Sequence, residues 1–263
     1  MSLEQGFSVV WLIGGTSEAI TLANGLASQN IPVMITVATT EAISRYPQSS
    51  SVEIQSCRLT KADMVAFICE RKLTRILDAS HPFATEVSKF AIAAAQITQI
   101  PYLRYEREEP TFPKNEWVTE VSSFEELLND QYLVNQRVLL TMGVKSLPHF
   151  QPWQSRSQLF ARILPRKNSY QQAFAAGFTT ERLIALKPPI TFEQEKDLWQ
   201  SWQIERVITK ASGIPGGENI KRELAERLHI PLVIWQRPNL QYPQLTQNLE
   251  SALGYALGQH LFS

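Results

Sequence analysis

The sequence predicts an α/β protein of two domains with mainly parallel sheets. Three observations carry that prediction. Short apolar runs alternate with amphipathic or alanine-rich stretches along most of the chain, and strands alternating with helices build parallel sheets covered on both faces. Some apolar runs end in a glycine turn, as at Gly14-Gly15-Thr16 and Gly143, the signature of βαβ units. The rhythm breaks over Glu106–Trp117, where acids and two prolines stand without a period, so that stretch reads as loop.

Taken in order, Val9–Ile13 is a strand, and Ala19, Ile20, Leu22, Ala23 and Leu26 then form one helical stripe. Pro32–Ala38 is the next strand and Ala62–Arg71 the next helix. Arg75–Ala79 is a strand, Val87–Thr98 an alanine-rich helix and Pro101–Tyr105 a short strand. Phe124–Gln131 reads as a short helix. A second series opens at Arg137, where RVLLTMG is a strand ending in Gly143; QLFARIL and RLIALK are further strands. Glu193–Trp202 is a helix, RVITKASG a strand ending in a glycine turn, and Glu218–Leu228 a helix. PLVIWQRP is a closing strand and Leu245–Leu261 a closing helix. The boundary falls within Glu106–Asn135, giving an N-terminal domain over 1–120 and a C-terminal domain over 121–263. The halves share a rhythm without a convincing sequence repeat.

Composition narrows the function. The chain has 263 residues, with 25 basic and 25 acidic side chains and no net charge. A general polyanion binder needs a basic excess, so nucleic acid is not an expected partner, while local basic loops can still serve a small anionic ligand. Cys57 and Cys69 form no CxxC and have no neighbouring histidine, so no metal site is expected, and both read as small apolar residues in a reducing compartment. The N-terminus lacks a basic segment and cleavage site, and no apolar run approaches the roughly 18 residues of a membrane span. A cytoplasmic protein off the membrane is the expectation.

Ligands of open α/β sheets bind beyond the carboxyl ends of the strands, so the strand-to-helix turns hold the candidates. Four stand out. In the first, Gly14, Gly15, Thr16, Ser17 and Glu18 offer close backbone approach and a helix N-terminus to a phosphate, or form a tight turn with a hydroxyl cap and a favourable first-turn acid; the full GxGxxG pattern is absent. In the second, DASHPFA, His81 is a proton donor or acceptor near neutral pH, or a histidine that only bonds backbone beside a Ser80 cap. In the third, TMGVKSLPHF, Lys145 and Ser146 suit a carboxylate, or Lys145 is merely solvated. In the fourth, TKASGIPGGENIK, Lys210, Ser212, Gly213, Gly216 and Gly217 suit an anion, or form a glycine-rich connection; the order GxxxxGK[ST] of a triphosphatase is missing.

In their order, LIGGTSEA, DASHPFA, LTMGVKSLPHF and TKASGIPGGENIK followed by PLVIWQRP resemble the precorrin-6A reductase family, including its cobalt-precorrin-6A branch. The resemblance runs from about Val9 to Pro238, and DASHPFA and TKASGIPGG are its most specific parts. It implies two Rossmann-like domains with an interdomain cleft, NADPH or NADH as hydride donor, and a contracted-ring tetrapyrrole rich in carboxylates as acceptor. The chain departs from the family at Cys57, in place of a common glycine, and at Met142 and Val144; neither departure removes a charged group, so the activity is expected to be retained.

On this reading the cofactor contacts are Gly14, Gly15, Thr16, Ser17, Glu18, Thr39, Arg45, Asp78 and Ser80. The substrate contacts are Lys145, Ser146, Lys210, Ser212, Gly213, Gly216 and Gly217. His81 and Lys210 are the candidates for proton delivery. Glu41 and Arg45, both close to the second strand's end, argue for opposite choices between NADH and NADPH. The same turns leave two alternatives, a non-catalytic dinucleotide or tetrapyrrole binder and an S-adenosylmethionine-dependent methyltransferase of the same pathway. Transient contacts with other enzymes of cobalamin biosynthesis are a further expectation.

Overall fold

The structure is a computed structural model and describes residues 8–259. By its internal contacts the chain divides into two units, one of residues 8–108 with 239–259 and the other of Glu109–Pro238. The division differs from the expected cut after residue 120. Residues 109–120 join the second unit because β6 (Val118–Val121) pairs with β11 (Leu232–Trp235). The closing segment, expected in the second domain, belongs to the first: β12 (Leu245–Thr246) pairs with β5 (Tyr102–Tyr105), and α8 (Leu249–Ala256) packs against α1 (Ser17–Ser28).

The first unit holds a six-stranded sheet in the order β12-β5-β4-β1-β2-β3. Its strands include β1 (Val9–Ile13), β2 (Val33–Val37), β3 (Val52–Ser56) and β4 (Leu73–Asp78), and every pairing is parallel. Central strands buried on both faces read as continuous apolar runs, as VVWLI and VMITV do. One face packs on α1 and α8 around Leu22, Leu26 and Ile35. The other carries α2 (Lys61–Glu70) and α3 (Thr85–Thr98) around Trp11, Phe67 and Ile76. Thr60 and Asp63 start α2 with a reciprocal capping box.

The second unit repeats this arrangement in the order β6-β11-β10-β7-β8-β9, again all parallel. Here β7 (Arg137–Leu140), β8 (Gln158–Ile163), β9 (Leu183–Ala185) and β10 (Arg206–Lys210) are joined by α5 (Lys167–Ala175) and α6 (Phe192–Ser201), with α7 (Glu218–Leu228) after β10. A short helix, α4 (Asp130–Leu133), precedes β7. Position for position, β7 corresponds to β1 and β10 to β4; the sixth strand comes last in one unit and first in the other. In each sheet the winding reverses between these two strands, and their carboxyl ends form the crevice where open α/β sheets bind ligands.

Candidate functional site

In the first unit the crevice lies between the turns after β1 and β4. Thr16 caps α1 by accepting from the Ala19 amide at 3.1 Å, and its hydroxyl donates to the Ala79 carbonyl at 2.9 Å, tying the two turns together. Gly14 has no room for a side chain, because a Cβ there would run into the Tyr46 hydroxyl. Gly15 is the opposite case. Its φ is +135°, and no atom lies within 4 Å of where its Cβ would stand, while its amide donates to the Tyr46 hydroxyl at 3.0 Å. The turn is therefore bare and open at the N-terminus of a 12-residue helix, the geometry that admits a phosphate.

A small open pocket lies beside it, with Thr16, Glu18, Ser80, Pro82, Arg104 and Arg107 among its lining residues. Glu18 accepts from Arg107 at 2.9 Å and from Ser17 at 3.0 Å. Burial works to raise its carboxyl, but these bonds and the Arg107 charge hold it below the usual range. Glu18, expected as a cofactor contact, is thus engaged by Arg107, which the sequence reading missed.

Asp78 is fully buried at the end of β4. It accepts from the Ser80 amide at 3.0 Å, the Ser88 hydroxyl at 2.6 Å, the Tyr102 hydroxyl at 2.7 Å and the Arg104 guanidinium at 3.1 Å. Arg104, itself buried, also donates to the Ser80 hydroxyl at 3.0 Å and to Glu106 at 3.1 Å. The expected cofactor contacts Asp78 and Ser80 are committed inside this network, where they fix the turn that carries His81. The signal was present in YLRY: Tyr102 and Arg104 share one face of β5, and Arg104 sits opposite Asp78 in the register. His81 is half-exposed. Its Nδ1 accepts from the Phe83 amide at 3.2 Å, so the neutral ring carries its proton on Nε2.

Thr39 precedes the 3₁₀ turn Thr40–Arg45 beyond β2, and Arg45 is exposed. Arg58, also exposed, follows β3 two residues past Ser56, the partner of Val37 in the register. Cys57 is half-buried, with burial pushing its thiol up, whereas Cys69 is exposed, against the expectation of an apolar burial site.

In the second unit the crevice lies between the turns after β7 and β10. Gly143 (φ +86°) leads into a 3₁₀ stretch, Val144–Trp153, that contains Pro148 and Pro152. Ser146 is spent on that turn, its hydroxyl donating to the Gly143 carbonyl at 2.7 Å. The Lys210 ammonium lies over Gly143, 3.8 Å from the position of a Cβ. Burial, and secondly the charge of exposed Lys145, pull the Lys210 ammonium below the usual lysine range.

The amides expected to cradle a carboxylate are already committed. Ser212 donates to Lys210 O at 2.7 Å, Gly213 to the Glu218 carboxylate at 2.9 Å, Gly216 to Gly213 O at 3.0 Å and Gly217 to Ile214 O at 2.9 Å. Tight turning of the loop engages the amides of Gly213, Gly216 and Gly217, the glycine N–H groups expected to face an anion. From behind, buried Lys221 donates to Gly216 O at 3.0 Å and Gly217 O at 3.2 Å. Burial draws its ammonium down to about 8, with Glu195 and Glu218 resisting. Among the described residues no group of three or more His, Cys, Asp or Glu is placed to hold a metal ion, and no helix is long and apolar enough to cross a membrane.

Comparison with known proteins meets this geometry. The family model described as "Precorrin-6x reductase CbiJ/CobK" matches residues 9–256. A cobalt-precorrin-6A reductase of Synechocystis sp. is 42% identical, covering 92% of this chain and 93% of that protein. One from Priestia megaterium is 34% identical, covering 95% and 99%. The solved structure of a CobK precorrin-6A reductase superimposes with a TM-score of 0.77 at 23% identity, over 95% of this chain and 97% of that one. With a match that spans both sheets and all four crevice turns, the chain belongs to the precorrin-6x reductase family.

Proposed function

We propose that this protein reduces a double bond in the macrocycle of cobalt-precorrin-6A during cobalamin biosynthesis, with NADPH as hydride donor bound by the first unit. Membership in a reductase family sets aside the methyltransferase and the non-catalytic binder. The observation that carries the cofactor assignment is the contrast between the two equivalent turns. After β1 a side-chain-free, open position leads directly into a 12-residue α-helix capped by Thr16. After β7 the corresponding turn leads into a 3₁₀ stretch interrupted by prolines, which lacks the aligned peptide dipoles that favour a pyrophosphate. The residues that fit the cofactor are Gly14, Gly15, Thr16 and Ser17 at the pyrophosphate, and Thr39 with Arg45 and Arg58 beyond β2 and β3. Two exposed arginines at that sheet end favour a 2′-phosphate, hence NADPH over NADH. When bound, the reduced nicotinamide supplies the hydride. His81, half-exposed on the turn after β4, is assigned the accompanying proton, given through Nε2 from its imidazolium form and regained from solvent. The cobalt-bearing substrate is favoured by the names of the relatives at 42% and 34% identity. Anaerobic incubation of the protein with cobalt-precorrin-6A or precorrin-6A and each nicotinamide, followed by absorbance, tests the reading. Turnover with the cobalt form and NADPH is expected, and absence of turnover with every pair refutes it.

Lys210 and Lys145 are assigned to the substrate's carboxylates. A charge-assisted hydrogen bond contributes roughly 1.5–3 kcal/mol. Lys210→Ala should therefore raise the substrate KM about ten-fold or more while leaving NADPH affinity nearly unchanged. Because Lys210 loses its proton at lower pH than an ordinary lysine, wild-type KM should climb with rising pH before the ordinary lysine range is reached. The variant should lack that climb. A fall in NADPH affinity with KM unmoved would show that the two units' roles had been assigned in reverse.

A further inference from the structure

Ile214 is the most exposed large apolar side chain among the described residues, at 62%. It stands, with exposed Pro215, at the tip of the loop after β10. Hydrophobic side chains exposed to this degree on mobile loops are unremarkable, but this loop is held from several directions. Glu218 takes the Gly213 amide, Gly216 and Gly217 donate back within the turn, and the buried Lys221 ammonium grips the Gly216 and Gly217 carbonyls from beneath. The Ser212 side chain occupies the space where a Cβ on Gly216 would lie. An apolar tip is thus presented on a fixed base. Lys210 starts the same turn, with Lys145 close enough to depress its ammonium. Half-buried Trp235 stands opposite Lys210 in the strand register.

An apolar tip on a loop that starts at a cation suits a broad conjugated ring with carboxylates on its rim. We infer that Ile214 and Pro215 form the platform on which one face of the tetrapyrrole rests, with Lys210 and Lys145 taking rim carboxylates and Lys221 acting as the positioning residue that locks the platform. The inference rests on the proposed substrate and extends it to a contact that no charged or hydrogen-bonding group supplies. Preorganisation is the physical advantage, since a platform already ordered loses little entropy when the ring arrives.

The test uses the full-length protein with Ile214→Ser and Ile214→Leu. Both changes fall on an exposed side chain, so folding is unaffected, and a thermal melt verifies this. Removing the apolar contact should raise the substrate KM, and weaken equilibrium binding of cobalt-precorrin-6A followed by tryptophan fluorescence, about ten-fold in Ile214→Ser. Ile214→Leu should restore both to within about two-fold, the volume and character being kept. NADPH affinity should not move in either variant. Salt separates the apolar from the ionic contribution: Ile214→Ser should keep the wild-type salt dependence of substrate binding, whereas Lys210→Ala should flatten it. If wild type binds and reduces the tetrapyrrole but Ile214→Ser behaves identically, the platform is refuted and the proposed function stands. If wild type neither binds nor reduces it, the proposed function fails and the platform with it.

Discussion

Replacing Arg104 with methionine should destabilise the first unit by about 3–5 kcal/mol, the usual cost of stripping one partner from a buried ion pair. Arg104 and Asp78 are both almost fully excluded from solvent, at 1% and 0% exposure. Methionine fills much of the arginine's volume, so the loss reports on charge and hydrogen bonding more than on packing. Asp78 would keep Ser80, Ser88 and Tyr102 as donors but lose the only cation paired with it among the described residues. At roughly 2–4 °C per kcal/mol for a chain of this size, the melting temperature should fall by about 10 °C. The double variant Arg104→Met/Asp78→Asn provides the control. An uncharged amide beside methionine no longer leaves a carboxylate stranded, so the double variant should recover part of the loss, a coupling readable in a double-mutant cycle. A loss under about 1 kcal/mol in Arg104→Met, or a double variant no better than the sum of the singles, would show the pair to be energetically idle. NADPH binding and turnover should suffer alongside stability, because the same network fixes Ala79, the carbonyl to which Thr16 is tied, and the turn bearing His81.

That network also shows how far the sequence could be read. The long periodic elements were legible because burial on both sheet faces imposes apolar runs and one-sided helices impose stripes, so β1, β4, α3 and α7 follow from their residues alone. The elements that went unread share a different character. β3 (VEIQS) lies at a sheet edge and is only partly buried, and β6 (VTEV) has two adjacent exposed positions. α5 (KNSYQQAFA) starts without a side-chain cap and is polar on most of its surface. Two residues of β12 give no pattern at all, although their pairing with β5 carries the chain back into the first unit. The motifs located both crevices, since glycine turns after apolar strands can be recognised without tertiary knowledge. Most partners of those motifs were hidden, because Arg104, Tyr46 and Arg107 act across 24 to 89 residues of sequence separation. Several polar groups assigned to ligands turned out to be satisfied internally. A turn sequence shows which N–H and carboxylate groups exist, and only the folded chain shows which are already paired.

Gly15→Val should abolish measurable NADPH binding in a protein that stays folded, whereas Gly14→Ala should loosen the packing of the turn and spare most of the binding. The difference follows from where each missing Cβ would point. At Gly14 it would collide with the Tyr46 hydroxyl, which must then leave its bond to the Gly15 amide. Gly14→Ala is therefore a packing lesion, expected to cost about 1–3 kcal/mol, with cofactor affinity lowered only as far as the turn relaxes. At Gly15 the space around a Cβ is open, so the bulk of a valine falls where the proposed pyrophosphate would approach the backbone. Its branched Cβ also has to adopt a φ of +135°, a conformation costing of order 1–3 kcal/mol for a residue other than glycine. Strain at one turn leaves the five strand pairings of the sheet in place, and the protein should stay folded with a modestly lowered melting temperature. Gly15→Ala separates the two effects, because it carries the same positive φ with far less bulk; its NADPH affinity should fall between wild type and valine. Nicotinamide fluorescence titration, paired with a thermal melt of each variant, reads binding and folding independently. About a 100-fold or greater loss of affinity is expected for valine, close to 3 kcal/mol. A folded Gly15→Val protein that binds NADPH within about three-fold of wild type would remove the cofactor from the β1 turn, and with it the division of labour between the two sheets.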